Sequence, residues 1–334
     1  VHYGNAYNNA FWDDVCFCMT YGDGNGGATF TMLASLDTAG HEMTHGVTSS
    51  TANLIYSEES GGLNESTSDI FGAMVEFYTR GAAGVGNHIP DTGGTWTMGE
   101  QISATKKRYL YKPSLDGRSP DAWSDTMYKL DVHYSSGPMN RAFYFLSQGA
   151  SASSGSATYS TYLPVGMTGI GNDKAARIWY RALTTYLTPS SNYLNARSAA
   201  LKAAIDLYGA SSAENVAVRK AFGAINVGNP NDNSDDFTAP TISVSESGAF
   251  GNISLLATAA DNRGVSRVDY FIDSVIAGSA TGSPFTLKVD STQFANGTHQ
   301  LSAKAYDAAG SHHRIERRLY AQQFDPAIAE KSRL

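Results

Sequence analysis

The segment His41-Glu42-Met43-Thr44-His45 is the stretch of this chain best equipped for chemistry. On a helix the two imidazoles share one face, with Cβ atoms roughly 5 to 6 Å apart, so one cation can bridge them. Zinc in a hydrolytic site takes three protein ligands and keeps one position open, and two His with one Glu is a workable set. Glu65, in Asn64-Glu65-Ser66-Thr67-Ser68-Asp69, is the candidate third ligand, because its distance from His45 lets the chain turn and set two helices face to face. Asp69 shares the helical face of Glu65. With Asn64 it could accept the free ring N–H groups of the two histidines and so fix their tautomers; the plainer reading of both residues is capping or solvated polarity.

Elements able to position these groups follow from the periodicity. Leu36, Ala39, Gly40, Met43 and Val47 are spaced for a helix over 36–50, and Ile70, Phe71, Met74, Val75 and Tyr78 for a second over 64–79, with Gly81 and Gly84 as stop signals. Residues 1–30 read as short extended pieces broken by the loop GDGNGG at 22–27. The stretch 82–131 looks irregular, and helical spacing returns over 135–148, 172–187, 192–208 and 212–225. The run GNPNDNSDDFTAP at 228–240 has the composition of an exposed linker. Beyond it, 242–244, 253–259, 266–273, 285–290 and 299–307 read as strands of a small β-sandwich. After Gly310 the run SHHRIERRLYAQQ is more charged than a final sandwich strand ordinarily is, which leaves its assignment open, and 321–334 read as a loose tail. The expected division is therefore a domain over 1–227, a linker over 228–240, a sandwich over 241–320 and the tail.

Composition narrows the partners. A formal charge of -7 with few Lys/Arg clusters offers no footprint for nucleic acid or an anionic membrane. No apolar run reaches the roughly 18 to 20 residues a membrane span needs. The opening VHYGNAYNN lacks the regions of a signal peptide, so the chain is expected to start after processing or to be incomplete. Abundant Gly and Tyr suit an extracellular protein with many turns. Cys16 and Cys18 are the only cysteines; separated by one residue, they do not easily meet disulfide geometry, and two structural thiols are expected.

Four long segments, HEMTH, GGLNESTSDIFGAMVEFY, LDVHYSSGPMNRAFY and GIGNDKAARIWYRALTTYLTPSSN, resemble the thermolysin-like metallopeptidases, nearest the pseudolysin and vibriolysin branch, from Val1 to about Val227. VDYFIDS and NGTHQLSAKAYDAAG resemble bacterial immunoglobulin-like modules. The resemblance implies an α+β zincin catalytic domain with a mostly helical C-terminal lobe and a partial β-rich N-terminal part, followed by a β-sandwich. It further implies a secreted, monomeric, zinc-dependent endopeptidase acting on proteins or peptides. Glu42 would be the general base, and His133, with Asp131 beside it, and Tyr56 would donate to the oxyanion. Arg108 would hold a substrate carbonyl, while Asn9 and Ala10 would belong to an edge strand that receives an extended peptide. Alone, His133 would more often be a surface or core histidine and Arg108 a solvated charge.

Departures from the family pattern are also legible. The family's β-rich lobe upstream of VHYG is not in this sequence, and Lys107 stands where the family usually carries Leu in the pocket for the residue after the scissile bond. Asp37, Glu76 and Glu100 match family calcium positions, but Thr95 and Thr97 replace acidic residues, which implies one calcium site rather than a pair; the plainer reading is three solvated carboxylates. Two other functions use the same residues: a non-catalytic zinc-containing protein for peptide binding or adhesion, and zinc-dependent hydrolysis of a non-peptide amide or ester. The sandwich is expected to bind substrate or a surface.

Overall fold

Two helices carry the HEMTH and NESTSD segments, and their close approach sets the geometry of everything around them. In the computed structural model α1 runs Leu36–Ser49 and α2 Glu58–Arg80. A Cβ added to Gly40 of α1 would lie 3.0 Å from the Cα of Gly72 on α2, so two glycines at the crossing let the backbones touch. Helix α2 starts six residues before the expected 64. Its first turns, Glu58 to Leu63, lack an apolar period; Gly61 is needed there because a Cβ would lie 2.4 Å from Val132. Gly81 closes α2 by donating its N–H to Phe77 O, while Gly84 lies outside the described residues.

The structure describes residues 1–81, 86–105, 107–231, 240–249, 251–262, 264–295, 297–307 and 312–321. The chain divides into two compact units, the first being Val1–Asn231. This unit opens with the antiparallel pair β1 (Ala10–Asp13) and β2 (Cys18–Tyr21), in register Ala10↔Tyr21 to Asp13↔Cys18. Contrary to expectation, Cys16 and Cys18 are disulfide-bonded, with Cα atoms 5.3 Å apart. The intervening Phe17 adopts a positive φ of 52°, and this sharp local turn brings the two Cα atoms into bridging range.

The expected irregular region contains one short hairpin, β3 (Thr97–Met98) with β4 (Arg108–Tyr109). The helix expected over 135–148 is two: α3 (Val132–Ser135), whose N-cap Asp131 accepts from the His133 amide, and α4 (Gly137–Gln148). After the small pair β5 (Gly149–Ala150) and β6 (Met167–Thr168) come α5 (Asn172–Thr185), α6 (Tyr193–Tyr208) and α7 (Ala213–Ala224). Helix α6 begins with a reciprocal capping box between Asn192 and Asn195. Phe77, Phe143, Phe145, Trp179, Tyr193 and Phe222 are fully buried, so the helical lobe has an aromatic core beneath α2.

The second unit is all antiparallel. One sheet has the order β11-β8-β7, from β7 (Thr241–Ala249), β8 (Asn252–Ala260) and β11 (Phe285–Val289). The other has the order β10-β9-β12-β13, from β9 (Val265–Ile272), β10 (Val275–Ala280), β12 (Gly297–Asp307) and β13 (His312–Ala321). Val244, Leu255 and Ala257 of the first sheet share a core with Val268, Tyr270, Leu301 and Ala303 of the second, the sandwich arrangement. Two strands escaped the sequence reading. Val275–Ala280 hides its period behind an exposed Val275 and Ile276, and the charged run after Gly310 does form a final strand, β13, paired with β12. Most of the expected linker, 232–239, and the tail from 322 lie outside the described residues.

Candidate metal centre and catalytic cleft

Helices α1 and α2 bring His41, His45 and Glu65 around one point. The two histidine Nε2 atoms are 3.1 Å apart; Glu65 Oε2 is 3.6 Å from His41 Nε2, and Oε1 is 3.5 Å from His45 Nε2. Four ligands at zinc–ligand distances of about 2.0–2.2 Å in a tetrahedron lie about 3.4 Å from one another, so the triangle has the size zinc requires. The protonation pattern agrees. Nδ1 of His41 donates to Asp69 Oδ1 at 2.9 Å. Nδ1 of His45 donates at 2.7 Å to Oδ1 of Asn64, whose own amide is oriented by Nδ2 donating to Leu54 O. Both Nε2 atoms therefore present lone pairs to each other, and the buried Oε2 of Glu65 has no hydrogen-bond partner. A divalent cation satisfies all three at once.

Asp69 is the hub behind this triangle. It is fully buried and accepts, besides His41, Nε and Nη2 of Arg108 at 2.8 and 2.5 Å and Nδ2 of Asn140 at 2.9 Å. Burial pushes its carboxyl up, but Arg108 and then His41 outweigh that and hold it well below the usual carboxylate range. Desolvation likewise opposes the charge on Arg108, and Asp69 more than restores it. Two of the three guanidinium nitrogens are thus committed to Asp69, leaving Nη1 for a ligand. Asn140 was missed by sequence reasoning, since it is one of several polar residues buried along α4 and nothing local singles it out.

Glu42 is 6% exposed, and its carboxylate lies with the metal-facing nitrogens of His41 and His45 in a group whose ligand atoms are all within 4.8 Å of one another. Burial raises its pKa, His41 pulls it back, and Glu65 adds to the rise; Arg108 and the Trp12 amide lower it, and the net shift is upward. Tyr56 donates its hydroxyl to Glu65 Oε1 and lies 3.4 Å from His133 Nε2. Desolvation and then Glu65 push the phenol pKa up, so it remains a donor. His133 is oriented through Nδ1, which donates to Asp131 Oδ1 at 2.8 Å, so Nε2 faces Glu65 at 3.6 Å. That bond from His133 is the main cause lowering Asp131.

These groups line one cleft of about 970 Å³, whose wall includes Asn9, Ala10, Trp12, Met98, Ile102, Lys107 and Arg108. Strand β1 pairs only with β2 among the described residues, so its other edge is available along the cleft. The three residues matched to calcium form a separate cluster. Asp37 accepts from the Gly99 amide at 2.7 Å, Glu76 from the Thr95 amide at 2.9 Å and Arg80 at 2.6 Å, and Glu100 from Thr95 Oγ1 at 2.6 Å. Burial and the neighbouring carboxylates Glu100 and Asp37 raise Glu76, and Glu100 Oε2 is a buried oxygen without a partner. With so many lone pairs already engaged, the set holds far fewer free oxygens than the 6 to 8 around calcium.

A crossed helix pair presenting two imidazoles and a carboxylate to one point, with a further carboxylate beside them on an open cleft, is the helix-and-ligand arrangement of zincin-type sites. The chain belongs to the thermolysin metallopeptidase family: residues 1–49 match its catalytic domain and 52–227 its alpha-helical domain, while 236–303 match a bacterial Ig domain. It is 50% identical over 237 residues to the transglutaminase-activating metalloprotease of Streptomyces mobaraensis, a match covering 68% of this chain and 29% of that protein. It is 42% identical over 236 residues to thermolysin of Alicyclobacillus acidocaldarius subsp. acidocaldarius, covering 68% of this chain and 39% of the relative. The chain thus spans well under half the length of these relatives. Among solved structures, the precursor of protealysin, a metalloproteinase from Serratia proteamaculans, superposes with a TM-score of 0.52 at 28% identity, covering 68% of this chain and 67% of that one.

Proposed function

We propose that this chain is a secreted zinc-dependent endopeptidase in which His41, His45 and Glu65 hold the metal and Glu42 is the general base. The observation that carries the reading is the convergence of two Nε2 lone pairs and an unpartnered buried Glu65 oxygen. Zinc, when bound, would supply the Lewis acidity that polarises the scissile carbonyl and acidifies water. Glu42 accepts the proton of the attacking water and returns it to the leaving amine, a two-way role that its raised pKa favours. His133, with Asp131 on its far nitrogen, and Tyr56, on leaving Glu65, donate to the developing oxyanion. The free edge of β1 pairs with an extended peptide, while the Asn9 side chain and Arg108 Nη1 add polar contacts.

Asp69, Asn64 and Asp131 act through the residues they orient, and one calcium ion at Asp37, Glu76 and Glu100 is the proposed structural metal. The domain division we propose is 1–227 for the peptidase, 228–240 for the linker, 241–320 for the sandwich and 321–334 for the tail, with the sandwich engaging substrate or a surface and the chain acting as a monomer. The test is digestion of a defined oligopeptide by the zinc-loaded chain in ¹⁸O-water, followed by mass spectrometry. Internal cleavage with ¹⁸O in the new carboxyl group supports the proposal. An intact peptide beside a hydrolysed simple ester would replace it with non-peptide hydrolysis, and an intact but bound peptide with a non-catalytic adhesion role.

A further inference from the structure

The cleft contains a cation that none of the roles above uses. Lys107 lines it, half-buried, one residue before β4. The pair Met98↔Arg108 puts Lys107 level with Gly99 in antiparallel register, and Met98, Gly99 and Ile102 line the same cleft. Of the other charged groups there, Arg108 is engaged with Asp69, Arg118 with the Tyr134 hydroxyl, Asp131 with His133, Asp14 with the Trp12 indole and Asp116 with the Ser119 amide, while Glu42 and Glu65 belong to the metal centre. Lys107 makes neither an ion pair nor a hydrogen bond among the described residues. A half-buried lysine with no ion-pair partner among the described residues is stabilised by any carboxylate that enters the cleft.

We propose that Lys107 is a specificity-determining residue, favouring peptides that place an Asp or Glu side chain beside the scissile bond. This rests on the peptidase reading and deepens it. The Coulomb gain is that of a half-exposed pair, so the expected preference for Glu over its neutral isostere Gln is about fivefold, or about 1 kcal/mol. It weakens as salt is added.

The experiment measures binding apart from cleavage. Zinc-loaded Glu42→Gln protein is titrated by fluorescence anisotropy with labelled peptides of one sequence, carrying Glu, Gln or Leu on either side of the central bond. The same titrations are run with Lys107→Met and Lys107→Glu added, and casein hydrolysis by the parent is followed in parallel. Expected are about fivefold tighter binding of a Glu peptide than its Gln twin, a ratio near one in Lys107→Met, and a reversed ratio in Lys107→Glu. Equal binding of Glu and Gln peptides, tightest binding of the Leu peptide, or a ratio unmoved by Lys107→Met would overturn the proposal. If casein is nevertheless cleaved, the peptidase reading stands without it; if no peptide binds and casein stays intact, both fall.

Discussion

Replacing Asp69 by Asn removes one charge and no volume, yet it strikes four hydrogen bonds from three residues at once. His41 Nδ1, Arg108 Nε and Nη2, and Asn140 Nδ2 all donate to this buried carboxylate. The amide can still accept from one or two of them, but its own NH₂ must then face a donor, and Arg108 loses its counter-charge. Breaking a buried ion pair from one side costs about 3–5 kcal/mol. With a urea slope of about 2–3 kcal/mol/M, the unfolding midpoint of the metal-free protein should fall by about 1–2.5 M. His41 also loses the charged acceptor that fixes its tautomer and raises its basicity, so zinc affinity should drop about 10- to 100-fold. Chelator-competition titrations of zinc and urea melts followed by circular dichroism read the two effects separately. A variant whose zinc affinity stays within about twofold of the parent would refute the hub reasoning, and so would an unchanged urea midpoint.

Three further outcomes follow from the same geometry. His133→Ala should lower kcat about 10²- to 10³-fold with little change in KM, because its Nε2 points at the reacting centre rather than at substrate side chains; steady-state kinetics on a peptide substrate would read this. His299 donates through Nδ1 to Asp273 and through Nε2 to Ala295 O, a pair of bonds that only the imidazolium can make. Its pKa is raised, chiefly by the Ala295 carbonyl and then by Asp273. The sandwich should therefore keep this stabilisation below about pH 6.5 and lose it as pH rises through the folded pKa; thermal melts of the parent from acid to alkaline pH should show a slope that His299→Gln removes. Adding millimolar calcium to zinc-loaded protein should raise Tm, and Glu100→Gln should abolish the increment, since the unpartnered Oε2 is the free ligand atom.

Much of the site could be read from the sequence because helical spacing is a strong geometric constraint. His41 and His45 had to share a face, and Glu65 and Asp69 likewise, so the triangle and its hub needed only that the two helices meet. The sequence offers Asp69 and Asn64 as acceptors for the two histidines without a choice of which serves which; in the structure Asp69 accepts from His41 and Asn64 from His45. Asn140 was not legible, since its approach to Asp69 depends on how α4 packs on α2, a tertiary fact without local signal. Boundaries failed where glycine interrupts a helix for packing, as at Gly61 and Gly62. The Cys16–Cys18 bridge was rejected from separation alone, and the left-handed backbone of Phe17 that makes it feasible leaves no mark in the sequence. In the sandwich, β13 was obscured because a charged composition weakens the alternation on which strand assignment rests.

The central claim is that one zinc ion at His41, His45 and Glu65 works with Glu42 as base, and it is tested most directly by titrating zinc into chelator-stripped protein. Bound metal and casein cleavage would be followed together in the parent and in Glu42→Gln. The account predicts that both proteins bind one equivalent with similar affinity, that parental activity rises in step and levels at one equivalent, and that the variant remains at least about a hundredfold less active throughout. Cleavage by the variant at the parental rate, or parental activity that ignores zinc, would contradict it.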